Sequence, residues 1–197
     1  MNSFNHVLIG TVVYEYIKEK YGIELDRESF LKGNTCPDHS IAFLRPHRLF
    51  FCSRAVRKKT IRLCRGNWGL VGRKASKKIG ILCHYYSDFF CRAHNPHFGG
   101  NLKDHIRYED ELLCFMEQNM EFYRGIDYIP EVSVPHGAGE INRLMRLRIQ
   151  ERPSEQGDYA SELFCAIRAC AELVLSVSLA ILVLTEGETE KILPVSA

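Results

Sequence analysis

Histidine and carboxylate side chains recur at helical spacing between residues 82 and 109. His84 and Asp88 stand four residues apart, and so do His105 and Glu109. Residues at i and i+4 lie on one face of an α-helix, so each pair can direct an imidazole and a carboxylate to one point. Both groups are suitable zinc ligands. Taken alone, however, each pair is also what an ordinary hydrogen bond along a helix would produce.

Four more residues can join the two pairs. His94 follows Asp88 by six residues in LCHYYSDFFCRAHN, a stretch that is otherwise largely apolar. Polar groups buried in such a stretch need partners. His6, Asp38 and His47 stand at helical or loop positions earlier in the chain. Histidines and carboxylates from successive helices can converge in the core of a bundle, so we predict a metal cluster.

The elements that must position these residues are predicted to be helices. Asp26 is expected to cap a short helix that reaches Lys32 and ends at Gly33 and Asn34. No strand alternation occurs, so the predicted fold class is all-α, a compact multi-helix bundle. Apolar periodicity predicts the other helices over residues 4–20, 48–64, 73–93, 102–122, 139–151 and 158–185.

The composition is that of a globular protein, with 197 residues, 46% hydrophobic and 25% charged. We expect one domain over 1–197, in which 1–125 carries the metal motifs and 126–197 completes the core. The eight cysteines form no C-x-x-C pair and are expected to be free thiols. The N-terminus lacks the basic region of a secretion signal, and the charge-free run 173–185 is shorter than the roughly 20 residues of a membrane span. These features predict a cytoplasmic protein.

Positive charge is concentrated in residues 45–78. Twelve of the 26 Lys and Arg residues lie there, and no acidic residue occurs between Asp38 and Asp88. Such a segment suits a phosphate-bearing partner, either an anionic membrane surface or nucleic acid. The alternative is a solvated helical face that balances the acidic remainder of the chain.

The order of these motifs resembles the zinc-dependent phospholipase C family of bacteria. The resemblance is carried by FNHVLIG, PDHSIAFLRPH and HYYSDFFCRAHN…HIRYE, and it covers roughly residues 1–125. That family is related to the phospholipase C/D domain of glycosylphosphatidylinositol-cleaving enzymes and to the single-strand-specific zinc nucleases. Its members are all-helical and hold three zinc ions. The motifs are fairly specific for fold and metal site and much less specific for substrate.

The resemblance implies a role for each matching residue. Two zinc ions would have three side-chain ligands each, namely His47, His84 and Asp88 for one ion and His94, His105 and Glu109 for the other. Asp88 would bridge to a third zinc, also held by His6. Asp38 would be the general base or the carboxylate that orients water. Zinc lowers the pKa of a bound water to about 7 and so yields a nucleophile at neutral pH.

Two departures from the family pattern leave alternatives open. In secreted members a mature N-terminal Trp binds the third zinc, whereas this chain starts MNSFNH. We therefore expect two or three zinc ions. The interval from Asp38 to His47 is shorter than in those enzymes, which makes His39 a competitor of His47. His97 is a further possible ligand, although its loop position favours a plain structural role, and His136 falls outside every motif.

The predicted function is a zinc-dependent hydrolase, a phosphodiesterase of phospholipase C type. It would cleave a phospholipid into diacylglycerol and a phosphorylated headgroup, and residues 45–78 would contact an anionic membrane. A nuclease or another phosphoesterase could use the same metal site, although no aromatic stacking platform accompanies the basic segment. A third alternative is a non-catalytic intracellular protein that binds metal. Residues 126–197 contain no motif that indicates a substrate.

Overall fold

The computed structural model describes residues 1–39, 49–66, 68, 70–130, 134–152 and 158–186. Within these ranges the chain forms α-helices, one short 3₁₀ helix and no strand, which confirms the all-α class. The helices are α1 (Ser3–Tyr21), α2 (Arg27–Thr35), α3 (Leu49–Cys64), α4 (Arg73–Phe90), α5 (Leu102–Gln118), α6 (Met120–Arg124), α7 (Ala138–Gln150) and α8 (Tyr159–Glu186). The 3₁₀ helix, Arg92–His94, follows α4.

Most helices begin and end close to their predicted limits, with three corrections. α2 continues through Gly33 and Asn34, so the predicted stop there is wrong. α4 ends at Phe90, which leaves His94 on the 3₁₀ helix rather than just beyond a longer α-helix. The predicted helix 102–122 divides at Asn119. The cap at Asp26 is confirmed, since its Oδ1 accepts a hydrogen bond from the Ser29 amide at 2.9 Å.

Two glycines let α2 and α4 approach backbone to backbone. A Cβ atom on Gly33 would lie 2.2 Å from the Lys77 carbonyl oxygen, and one on Gly80 would lie 2.1 Å from the Phe30 carbonyl oxygen. No side chain fits at such distances, so both positions require glycine. This contact explains why Gly33 stands inside a helix, where glycine usually costs stability. It also brings the end of α2 against the face of α4 that carries His84.

α8 forms much of the core and packs against α1, α4 and α7. By length and composition its 26-residue segment Tyr159–Leu184 could cross a membrane. The charge-free run 173–185, considered alone, was too short to indicate this. Of the most apolar window in this segment, 72% is buried against the rest of the protein. The buried Glu172 carboxylate accepts hydrogen bonds from Arg148 Nε and Nη2 at 2.6 and 2.7 Å and so ties α7 to α8. All eight cysteines are free thiols, as predicted.

Candidate metal centre

The predicted site residues converge where α1, the end of α2, α4, the 3₁₀ helix and α5 meet. The structure brings together His6, Asp38, His84, Asp88, His94, His105 and Glu109. Their carboxylate and imidazole atoms form two adjoining groups with Asp88 between them. Residues 38 and 84 thus meet although 46 positions separate them in the sequence.

The first group consists of His6, Asp38 and His84, whose ligand atoms lie within 4.8 Å of one another. His84 Nδ1 donates to the carbonyl oxygen of Asn34 at 2.7 Å. The neutral imidazole therefore carries its lone pair on Nε2, which lies 3.6 Å from Asp38 Oδ1 and 3.3 Å from Asp88 Oδ2. The carbonyl that sets this tautomer is placed by the glycine contact between α2 and α4.

Hydrogen bonds through the Ser87 hydroxyl orient the His6 imidazole in the same way. The Ser87 hydroxyl donates to the His84 carbonyl oxygen at 2.9 Å, so it accepts a hydrogen bond from His6 Nδ1 at 3.0 Å. The lone pair of neutral His6 is then on Nε2, which lies 3.3 Å from Asp88 Oδ1. Charging both imidazoles instead would place two positive rings with centroids only 3.9 Å apart. Neutral rings with a cation between lone pairs and carboxylates avoid that repulsion.

Asp88 is the fully buried carboxylate at the centre. Besides the two histidines of the first group, it approaches His94 Nδ1 at 3.4 Å and the α-amino group of Met1 at 2.6 Å. Burial by itself would raise the pKa of Asp88, but positive charge on His94, on the Met1 amino group and on the other two imidazoles, when these are protonated, holds that pKa well below its ordinary value. A metal cation bound to neutral imidazoles would act in the same direction. Asp88 is therefore an anion at neutral pH.

The second group is built on Glu109 of α5. Its Oε1 lies 3.1 Å from His94 Nε2 and 2.9 Å from His105 Nε2. Burial opposes ionisation of Glu109, yet hydrogen bonds from His105 and His94 hold its pKa below the ordinary value. Burial lowers the pKa of His94, which favours the neutral imidazole that metals bind. The Met1 amino group also reaches this group, 2.9 Å from His94 Nε2 and 3.0 Å from Glu109 Oε1.

Two buried nitrogens in the centre test whether a metal fits. His6 Nε2 and His94 Nδ1 are buried and make no hydrogen bond to any residue that the structure describes. Each instead lies within 3.5 Å of Asp88 Oδ1. Buried polar atoms without hydrogen-bond partners are rare in native proteins, and metal coordination is one role that explains them. Nitrogen and carboxylate donors at this spacing suit zinc.

The remaining predicted histidines take no such place. His47 lies outside the described residues. His39 is exposed, and its Nε2 is 3.3 Å from the hydroxyl of Ser3 rather than at the centre. His97 and His136 are exposed as well.

Two residues of the site, Cys91 and Glu162, were not predicted from the sequence. Cys91 is buried, and its sulfur shares a group with ligand atoms of His94 and Glu109. Glu162 of α8 is a buried carboxylate whose Oε2 accepts from the Arg92 amide at 2.9 Å and from the Tyr108 hydroxyl at 2.7 Å. It thereby fixes the 3₁₀ helix and α5 beside the centre. Only the position of Cys91, between two predicted ligands, could have pointed to it.

Comparison with known families agrees with this geometry. A family model described as zinc-dependent phospholipase C matches residues 5–157. The match therefore extends beyond the 1–125 range of the resemblance and includes α7. Searches of curated proteins and of solved structures give no match.

Proposed function

Because this chain belongs to the zinc-dependent phospholipase C family, we propose that it is a zinc-dependent phosphodiesterase that cleaves a phospholipid into diacylglycerol and a phosphorylated headgroup. The observation that carries the proposal is the convergence of two imidazole lone pairs, from His6 and His84, on the carboxylates of Asp38 and Asp88. Such an arrangement of acceptors is stabilised by a cation among them, which a metal ion would supply.

The two adjoining groups suggest how zinc would be held. One ion would take His84 and Asp88, joined by His47 as the family pattern implies. A second would take His94, His105 and Glu109. His6 and Asp88 could hold a third, so the proposal is two or three ions. When bound, zinc supplies Lewis acidity toward phosphoryl oxygens and lowers the pKa of water.

Asp38 is proposed as the general base. Its Oδ2 accepts a hydrogen bond from the Ser3 hydroxyl at 2.9 Å, which fixes the carboxylate, and Oδ1 lies at the edge of the first group. Its side chain keeps some exposure to solvent, unlike that of Asp88, and so can reach both substrate and water. A carboxylate in this position can accept the proton of the attacking water.

The surface around the second group favours a lipid over a nucleic acid. Leu102 and Ile106 are 74% and 50% exposed, and on α5 they share a face with His105 and Glu109. Large exposed apolar side chains beside a metal site suit acyl chains. A zinc nuclease on the same ligands remains the alternative that the experiment below distinguishes.

We expect the zinc-loaded protein to release diacylglycerol from phospholipid vesicles, and Asp38→Asn to lower that turnover by about 10²–10⁴-fold, the usual loss on removing a general base. The variant should retain its zinc, because the amide keeps the hydrogen bond from Ser3. The measurements are zinc content by atomic emission and diacylglycerol by mass spectrometry, with single-stranded DNA and RNA assayed in parallel.

Each other outcome corrects a different part of the proposal. Cleavage of nucleic acid without release of diacylglycerol would favour the nuclease. Bound zinc with turnover of neither substrate would favour a non-catalytic metal-binding protein. If Asp38→Asn loses zinc as fully as His84→Ala does, Asp38 is a ligand rather than a base, and unchanged turnover would remove it from the mechanism.

The basic segment, residues 45–78, is proposed to contact an anionic membrane. In its described part, α3 begins with exposed Phe50 and Phe51 and carries exposed Arg54 and Arg57. Those arginines line a cavity of about 430 Å³ together with Arg146, above buried aromatic rings of α4. No ion pair joins these three arginines to an acidic side chain in the described ranges. Exposed cations beside aromatic rings are typical of surfaces that bind anionic lipid.

We expect Arg54→Ala combined with Arg57→Ala to weaken binding to vesicles that contain acidic phospholipid by about thirtyfold, since each surface cation contributes roughly 1 kcal/mol. Binding to purely zwitterionic vesicles should change little. The matched control removes two exposed cations from α2 by Arg27→Ala and Lys32→Ala and should keep the affinity. Vesicle co-sedimentation at fixed salt measures it, and equal loss in both double variants would contradict a specific role for α3.

A reducing compartment suits this chain, because eight cysteines form no disulfide in the structure. We therefore propose a cytoplasmic location, with the basic segment directed toward the anionic inner leaflet.

A further inference from the structure

Cys91 lies at the turn that joins α4, which carries His84 and Asp88, to the 3₁₀ helix, which carries His94. α4 ends at Phe90, and the Cys91 amide donates to the carbonyl oxygens of Ser87 and Asp88 at 3.2 and 3.1 Å. These bonds close the last turn of α4 and fix the direction of the Cys91 side chain. The Cys91 side chain is only 2% exposed.

The Cys91 sulfur is directed into the second group. It lies, with one ligand atom of His94 and one of Glu109, in a set whose members are all within 4.8 Å of one another. Ligand atoms around a tetrahedral zinc are separated by roughly 3.3–3.8 Å, given zinc–nitrogen distances near 2.0 Å and zinc–sulfur distances near 2.3 Å. A small movement of the sulfur would therefore bring it into coordination.

The buried Cys91 thiol belongs to the core but has charged groups near it. Burial raises the pKa of the thiol, the Met1 amino group lowers it, and the carboxylates of Glu162, Glu109 and Asp88 raise it, so all four groups act on the thiol electrostatically. Glu162 holds the segment after Cys91 through the Arg92 amide. The thiol is thus placed among metal-binding groups by contacts from α4 and α8.

We propose that Cys91 supplies a sulfur ligand to the zinc ion that His94 and Glu109 hold, an inference that rests on the zinc-dependent function proposed above. As the sulfur–zinc bond forms, the S–H bond breaks and its proton leaves to solvent. A thiolate is a soft donor that favours zinc over magnesium or calcium and takes a position that water would otherwise occupy. The first group (His6, Asp38 and His84), in contrast, offers only nitrogen and oxygen donors.

The test replaces zinc by Co²⁺ in the whole protein. Visible d–d absorption reports that cobalt occupies the centre, and near-ultraviolet sulfur-to-cobalt charge transfer reports a thiolate ligand. We expect both in the unmodified chain, and we expect Cys91→Ser to lose the charge-transfer band while it retains visible absorption. The controls are Cys83→Ser, buried within α4, and Cys114→Ser, exposed on α5, and both should keep the band.

Failure of this proposal is distinguishable from failure of the proposed function. Visible cobalt absorption without the charge-transfer band would overturn the sulfur ligand and leave the metal centre intact. No cobalt bound would overturn the metal centre itself. Should Cys91→Ser fold poorly, X-ray absorption at the zinc edge of the unmodified protein decides the matter. A sulfur shell at about 2.3 Å supports the proposal, and its absence overturns it.

Discussion

Asp88→Asn is expected to lower phosphodiester turnover by about 10³-fold, because in the proposed mechanism the metal would supply several kcal/mol of transition-state stabilisation and this carboxylate would hold the metal. The amide keeps the size of the side chain and removes its charge. His6 and His84 then lose the anion that lies 3.3 Å from the Nε2 atom of each. At least one zinc per chain should be lost, as measured by atomic emission on dialysed protein.

The matched control for this change is Asp110→Asn on α5. Asp110 is an exposed carboxylate beside Glu109 in the sequence, and it accepts one long hydrogen bond, from Asn2 Nδ2 at 3.3 Å. Zinc content and turnover should therefore stay at the level of the unmodified protein. If Asp88→Asn likewise keeps its full zinc content and turnover, Asp88 is not the central ligand.

Gly80→Ala is expected to destabilise the protein by about 2–3 kcal/mol, the usual cost of forcing atoms into a filled core. A chain of this size should then melt about 8 °C lower. The new Cβ atom would lie 2.1 Å from the Phe30 carbonyl oxygen, so α2 must move away from α4. The Asn34 carbonyl, which fixes the tautomer of His84, moves with it, and zinc affinity should fall by about 10–100-fold.

The control is Gly139→Ala in α7, where an added Cβ meets no atom within 4 Å. Alanine at an open helical position should be neutral or stabilise the protein by about 0.5–1 kcal/mol. Thermal melting followed by circular dichroism and zinc titration with a competing chelator would measure both variants. Equal melting temperatures for the two would mean that the glycine contact is not what holds α2 and α4 together.

Much of the fold could be predicted because its signals are local. Apolar residues at helical spacing predicted α1, α3, α7 and α8 to within a few residues. Asp26 was recognisable as a cap because the hydrogen bond that it accepts spans only three residues. The end of α2 was predicted wrongly for the opposite reason. Gly33 has a local preference to end a helix, but its contact with α4 requires glycine within one.

The residues of the candidate site likewise fall into those that local spacing reveals and those that only distant contacts place. The pairs His84–Asp88 and His105–Glu109 could be found because four residues make one helical turn, whatever the rest of the chain does. Glu162 could not be found, since its partners Arg92 and Tyr108 lie 70 and 54 positions away. The position of the Cys91 sulfur beside His94 and Glu109 likewise depends on the turn that ends α4.

The sequence by itself therefore determined the helical class and the candidate ligand pairs, because both follow from spacing along one helix. Only the tertiary structure decided which nitrogen of each imidazole faces the carboxylates. That choice depends on the Asn34 carbonyl and the Ser87 hydroxyl. The first reaches His84 from another helix, and the second meets His6 only where α1 packs on α4. Such contacts between distant segments exist only once the helices are packed together, so no local pattern could predict them.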